Sequence, residues 1–238
     1  MPVVYGTHTL LRTLILQLEK MMKFQAILLF PLLLNVLIPL TKAVFQCRRK
    51  IDMVLLLDSS ASVTRDQFSA SKKFAADLVK LFEISRNKTN VAATSFSQYT
   101  HVGRKFMEDS SKEAILKAID ALIYEGSFSR LDTALETLLE SKFEGTRPHE
   151  NGVKKVLVVL TDGFSSLGIE VTRDLTERLK NKGVEFFSVG ISGRVYKDEL
   201  KELTSQPIET HQLVRDTKTS PFTKDQVKNF ANEICNQK

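Results

Sequence analysis

Ile51-Asp52-Met53-Val54-Leu55-Leu56-Leu57-Asp58-Ser59-Ser60-Ala61-Ser62, answered much later by Leu160-Thr161-Asp162-Gly163, is the stretch on which the fold turns. Each piece is a short apolar run, broken only by Asp52, that ends in an oxygen-rich turn. Runs of this kind read as strands buried on both faces, as in a parallel sheet. Ligands of such sheets bind at the carboxyl ends of the strands, which is where these carboxylates and hydroxyls fall. A hard cation such as Mg²⁺ prefers oxygen donors of this type. In an extended segment alternate side chains share a direction, so Asp58, Ser60 and Ser62 are expected to converge while Ser59 and Ala61 point away. A cation held by neutral hydroxyls and a carboxylate stays a Lewis acid that seeks another carboxylate. No nearby residue is an obvious base, so recognition fits better than catalysis.

Outward from these turns, strands alternate with helical segments. Thr64-Arg65-Asp66-Gln67 has capping-box spacing and opens a helix with Phe68, Ala75, Leu78 and Phe82 on one face. Val91 to Phe96 and Tyr99 to Phe106 read as adjacent strands, the second more exposed. Ser110-Ser111-Lys112-Glu113 repeats the capping pattern before a helix that turns Ile115, Ala118, Ile119 and Leu122 inward. The loop Glu125 to Arg130 leads to a helix over Leu131 to Ser141, and Val156 to Leu160 is the most apolar strand. Helix Val171 to Lys182, strand Val184 to Val189, helix Lys197 to Leu203, a strand near His211 to Val214 and a helix over Thr223 to Cys235 complete the set. The order implies an α/β fold: a doubly wound, mostly parallel sheet with helices on both faces.

Composition is that of a globular protein, 42% hydrophobic and 26% charged. The front reads as a leader over residues 1–43. Its signal peptide spans about 22–43, with Lys23 as positive n-region, the apolar stretch Phe24 to Leu40 and a cut before Val44; residues 1–21 suit an overextended start. The other reading of the stretch is a membrane anchor, and Lys42, Arg48, Arg49 and Lys50 after it would then hold the domain in the cytosol. Without residues 1–43 the basic residues fall from 34 to 30 and the acidic from 28 to 27, so the net charge of the remainder is about +3 rather than +6. No basic stripe interleaved with aromatics is present, which argues against nucleic acid. Cys47 and Cys235 bracket the domain as a terminal disulfide would in an oxidising compartment; the alternative is two unpaired thiols. Asn87-Lys88-Thr89 is a glycosylation sequon, with meaning only in a secreted chain.

From about residue 50 to 236 the chain resembles a von Willebrand factor type A domain, the fold shared by integrin I domains, matrilins and the flanking domains of collagen VI, which implies one short antiparallel edge strand in the otherwise parallel sheet. The signs are Ile51 to Asp58 with Ser60 and Ser62, Leu160-Thr161-Asp162-Gly163, Phe187-Ser188-Val189-Gly190-Ile191 followed by Glu199-Leu200, and Ile234-Cys235. The resemblance implies a metal-ion-dependent adhesion site in which Asp58, Ser60, Ser62 and Asp162 hold Mg²⁺, Mn²⁺ or Ca²⁺. It places Ser129 where the family has a metal-binding threonine, after Gly126 and before Ala134-Leu135. Asp132 departs from the family's small residue at its position, either as a solvated acid on a first helical turn or as an extra ligand. Arg65, Phe128, Arg130 and Phe164 are expected on the partner-facing loops. The resemblance implies a secreted, single-domain adhesion module whose extracellular partner, a matrix protein such as collagen, completes the metal coordination with a carboxylate.

Enzyme readings fare worse. A phosphotransferase using Asp58 as nucleophile would want an acid where Ser60 stands. There is no G-x-S-x-G elbow, and His8, His101, His149 and His211 are scattered. The non-enzymatic alternative is a matrix assembly piece that keeps these residues only as a relic of the site.

Overall fold

The computed structural model describes residues 12, 14–23, 45–106, 111–141, 147, 152–191, 194–214 and 222–236. The chain divides into two compact units, Met1–Val44 and Phe45–Lys238. In the first, residues 12 and 14–23 are helical, while the apolar stretch Phe24 to Leu40 and the expected cut before Val44 lie outside the described residues. No helix among the described residues is long and apolar enough to cross a membrane.

The second unit holds six strands: β1 (Ile51–Asp58), β2 (Thr89–Phe96), β3 (Thr100–Arg104), β4 (Lys154–Thr161), β5 (Val184–Gly190) and β6 (Gln212–Val214). Its helices are α1 (Arg65–Lys80), α2 (Lys112–Asp120), α3 (Leu131–Glu140), α4 (Ile169–Asn181), α5 (Lys197–Leu203), α6 (Ile208–His211) and α7 (Lys224–Asn236). The sheet order is β3-β2-β1-β4-β5-β6, and every pairing is parallel except β2 with β3.

Strand periodicity explains why the apolar runs are continuous. Met53, Leu55, Leu57, Val156, Val158 and Leu160 enter one core with Phe74 and Leu78 of α1, Ile115 and Ile119 of α2, and Phe230 and Ile234 of α7. Their neighbours Val54, Leu56, Leu157 and Val159 enter a second core with Leu131 and Leu135 of α3, Leu175 and Leu179 of α4, and Leu200 of α5. A strand covered on both sides needs an apolar residue at every position, so alternation disappears.

Local signals mostly coincide with the observed ends. The capping box at α1 forms in full, with Gln67 N–H donating to Thr64 Oγ1 and Thr64 N–H to Gln67 Oε1. The expected cap of α2 moves one residue, to Ser111, whose Oγ accepts from Ala114 N–H at 3.2 Å. A single turn, α6, precedes β6 where only a strand was expected.

The end of the sheet remote from the strand tips is closed by two cross-links. Asp52, the one break in the β1 run, is wholly buried. Arg147 N–H donates to its Oδ2 at 2.7 Å, and the guanidinium reaches Oδ1 at 3.0 and 2.7 Å while also meeting the carbonyls of Ile51, Lys88 and Arg86. Cys47 and Cys235 form a disulfide with their Cα atoms 5.8 Å apart, tying the entry to β1 to the end of α7. Asn87 is exposed in the turn between α1 and β2, at this same end.

Arg147→Ala leaves a buried carboxylate without a counter-charge and should cost about 3–5 kcal/mol in chemical denaturation. Replacing Asp52 and Arg147 together by apolar residues should cost far less; equal losses would show that charge pairing is not the cause. Reducing the bond that spans 188 residues should lower stability by about 4–5 kcal/mol in the same assay.

Candidate functional site

The strand order reverses between β1 and β4: from β1 the chain steps to β2 on one side and later returns to β4 on the other. At such a switch point the loops leaving neighbouring strands diverge to opposite faces and open a crevice. Asp58 ends β1 and Thr161-Asp162 ends β4, with Leu57 opposite Leu160 in register, so both turns meet at this crevice.

The first loop is a turn rather than the extended segment expected, because Asp58 Oδ1 captures Ser60 N–H at 2.9 Å and Ser60 carbonyl accepts from Val63 N–H at 3.1 Å. An aspartate taking the N–H two residues on is a standard turn device. The convergence expected from alternation is reached by this other route: Ser60 Oγ lies 3.1 Å from Ser62 Oγ, and Ser59 turns away to donate to Phe96 carbonyl. The third loop repeats the device, with Phe164 N–H donating to Asp162 Oδ1 at 3.0 Å. Thr161 joins the two loops: its hydroxyl donates to Asp58 Oδ2 at 2.7 Å and accepts from Gly163 N–H at 3.0 Å. Gly163 has φ +90°, and a Cβ there would lie 2.7 Å from Tyr196 carbonyl, so the residue after Asp162 must be glycine.

The loop that carries Ser129 is fastened to both neighbours. Gly126 N–H donates to Ser59 carbonyl, and Ala61 N–H to Ser127 carbonyl. Ser97 is the pin: its Oγ donates to Phe128 carbonyl and accepts from Ser127 N–H, while its carbonyl accepts from Arg130 N–H. Ser129 N–H donates to Ser166 Oγ, and Ser129 carbonyl accepts from Ser166 N–H. Thr161 and Ser97 carry roles that sequence reasoning did not assign. Thr161 stood in the quoted motif, whereas nothing local marks Ser97.

Asp58, Ser60, Ser129 and Asp162 are all buried, and Ser62 stands exposed at the rim. Ser129 Oγ is buried without any hydrogen-bond partner. A buried hydroxyl is costly to leave unpaired, so this oxygen fits a site that is completed by a ligand. Burial raises Asp58 to about 7 against the hydrogen bonds from Ser60 and Thr161, with the charge of Asp162 adding to the rise. Burial also raises Asp162, opposed by bonds from Phe164 N–H and the Ser62 hydroxyl. Glu199, on α5, is raised by burial and by Asp162, and it accepts from Ser165 N–H at 3.3 Å. Two desolvated carboxylates beside hard hydroxyl oxygens suit a divalent cation. No cluster of three or more His, Cys, Asp or Glu side chains occurs among the described residues, so hydroxyls would have to supply the other donors.

Asp132 requires a correction. It is not solvated, being only 5% exposed with Oδ1 and Oδ2 held by Arg130 Nε at 3.0 and 3.1 Å and Oδ2 by Nη2 at 2.8 Å. Arg130, expected to face a partner, is half-buried and engaged in this fork. Arg65 is exposed but stacks on Tyr124, 4.6 Å from the ring centroid. Phe128 and Phe164 are exposed. His101 pairs with Glu125 and the buried His211 with Glu185, so both imidazoles are committed elsewhere.

A sequence model of the von Willebrand factor type A domain matches residues 52–230. The chain is 30% identical over 168 residues to von Willebrand factor A domain-containing protein 2 of Xenopus laevis, covering 71% of this chain and 20% of that protein. It is 31% identical over 164 residues to matrilin-1 of Gallus gallus, covering 68% of this chain and 32% of that protein. The chain thus spans between a fifth and a third of these relatives. Among solved structures, proximal thread matrix protein 1 from the mussel byssus, with a zinc-occupied MIDAS motif, superposes with a TM-score of 0.69 at 23% identity, covering 80% of this chain and 49% of that one.

The upward shifts at Asp58 and Asp162 set the sign of a pH effect. Between about pH 4 and 7 the folded chain keeps protons that the unfolded chain has released, so stability falls as pH rises through that window. In a chelator, raising the pH from 4 to 8 should cost on the order of 4 kcal/mol for Asp58. Asp58→Asn should remove most of that slope in denaturant titrations. An unchanged slope in the variant would place its origin elsewhere.

Proposed function

The chain belongs to the von Willebrand factor type A domain family, and from that membership we propose that it is a secreted, extracellular protein-binding module that captures its partner through a divalent cation. Asp58, Ser60, Ser62, Ser129 and Asp162 would hold the cation, Mg²⁺ or Mn²⁺ before Ca²⁺. The observation that carries this reading is the buried, unpaired Ser129 Oγ on a loop pinned beside two desolvated carboxylates. The cation supplies a Lewis-acidic position for a carboxylate of the partner.

The protein's own residues prepare that position. Thr161 holds one oxygen of Asp58, and Phe164 N–H holds one of Asp162, so each carboxylate is oriented before any ion arrives. Arg130 neutralises Asp132, which keeps a further negative charge from weakening the cation's pull on a partner. The relatives include matrilin-1 and a collagen alpha-1(XII) chain, which supports a matrix protein, such as a collagen, as partner. The pairing of Cys47 with Cys235 and the exposed sequon at Asn87 fit an oxidising, secretory route, with the leader over residues 1–43 removed on the way. Lewis-acid recognition needs no base or nucleophile at the crevice, so the proposed role is binding without turnover.

Calorimetric titration with Mg²⁺, Mn²⁺ and Ca²⁺ tests the reading. Binding should be seen with the native chain and lost in Asp162→Ala, whereas Ser129→Thr should retain it. At a hundredfold excess over Kd the ion should stabilise the native chain by about 2.7 kcal/mol. No heat and no thermal shift with any of the three ions would leave the matrix-assembly alternative, which needs no metal.

A further inference from the structure

The loops around the crevice carry an unusual share of exposed apolar side chains. Tyr99 follows β2, Phe128 precedes Ser129, Phe164 and Leu167 follow Asp162, and Tyr196 follows β5; all five are exposed and all lie at the carboxyl ends of the strands. Apolar side chains gathered at one end of a domain mark an interaction surface more than scattered ones do. Phe128 is 69% exposed and Phe164 38%.

These two phenylalanines stand on fixed supports. The Phe128 carbonyl accepts from Ser97 Oγ, and the next residues are tied through Ser129 to Ser166 and through Arg130 N–H to Ser97. The Phe164 ring packs on Tyr196 with centroids 5.5 Å apart and planes at 49°, and its N–H is held by Asp162. An aromatic ring already positioned before contact loses little freedom on binding, which favours affinity. Two nearby cations are engaged as well: Arg130 is forked by Asp132, and Arg65 lies over Tyr124. With Arg130 neutralised by Asp132, Phe128 and Phe164 are the exposed apolar features of the loops that carry Ser129 and Asp162. The charged groups, Asp58 and Asp162, are recessed behind them.

We propose that this face takes an extended protein segment in which one acidic side chain is bordered on both sides by apolar residues, the acid going to the cation and its neighbours to Phe128 and Phe164. The proposal rests on the cation-binding reading above and adds the sequence context of the partner's acid. A segment dense in acids would find the Arg130 charge already met by Asp132, and an isolated acid among polar residues would leave both rings in water.

The test uses the full chain and a library of short peptides with a fixed central glutamate and randomised flanks, read with Mg²⁺ and with a chelator. The expected result is Mg²⁺-dependent binding, enrichment of Phe, Leu, Ile and Pro beside the glutamate, and loss of binding when that glutamate becomes glutamine. Phe128→Ser and Phe164→Ser should each weaken the best peptide by about tenfold, the size expected for part of a ring's burial. Mg²⁺ binding measured alongside separates the two readings. If the native chain binds Mg²⁺ but selects no apolar flanks, or the serine variants bind the peptides as before, the proposal is overturned and cation binding stands. If the native chain binds no Mg²⁺, both fall. A variant that loses Mg²⁺ together with the peptide would assign its phenylalanine to the cation cradle, which also overturns the proposal. So would phosphatidylcholine vesicles that bind the native chain and not the serine variants, since the rings would then be a lipid contact.

Discussion

Asp58 is wholly buried at the tip of the central strand, where the sheet reverses its order, and its carboxylate is held by a hydroxyl from the neighbouring strand. A carboxylate placed there in a protein of low internal polarity is poorly tolerated as an anion unless something positive is brought to it. The rest of the site can be understood as arranged around that constraint. Thr161 and Ser60 N–H each take one of its oxygens, Asp162 approaches from the next strand and raises it further, and the Ser129 loop, tied to Ser59 and Ser166, brings a buried oxygen that has no hydrogen-bond partner. The proposed cation would relieve that arrangement by bringing positive charge to the buried carboxylates.

Such an arrangement needs a rigid frame. Ser97, Ser59 and Ser166 stitch the three loops together through backbone groups, so the oxygen donors cannot drift apart independently. The opposite end of the sheet is secured by unrelated means, with Arg147 filling the hydrogen-bonding needs of Asp52 and three carbonyls, and the disulfide joining the entry of the domain to its last helix. Two apolar layers lie between these polar ends, each fed by alternate residues of the same strands. The division places stability at one end and in the cores, and leaves the loops at the other end available for contact, as is usual in parallel sheets.

The treatment of charge around the crevice shows how a family pattern is adjusted in one chain. Asp132 stands where the resemblance calls for a small residue, and the fork from Arg130, two residues before it, neutralises the addition on the spot. The local balance of the site is thereby kept near two carboxylates. The same fork occupies a side chain that would otherwise offer a positive contact, which leaves Phe128 as the prominent feature of its loop.

The alternation of apolar runs and capped helices was enough to establish the α/β class and the parallel sheet, because strand burial and helix capping are written in neighbouring residues; the antiparallel edge came with the family resemblance. Asp58, Ser60, Ser62 and Asp162 were legible for the same reason: each lies within a few residues of a strand end. Ser129 needed the resemblance, since its loop belongs to no strand of the crevice. What the tertiary structure alone decided was pairing across long separations. Asp132 read either as a solvated acid on a first helical turn or as an extra ligand, and its burial against Arg130 depends on how α3 packs. The turn after Asp58 replaced an extended segment because the carboxylate captured Ser60 N–H. Asp52 looked like a lone polar break until Arg147, far along the chain, was brought beneath it. Local sequence fixes which residues prefer a strand, a cap or a turn; which buried charge meets which partner is set only when distant segments share one interior.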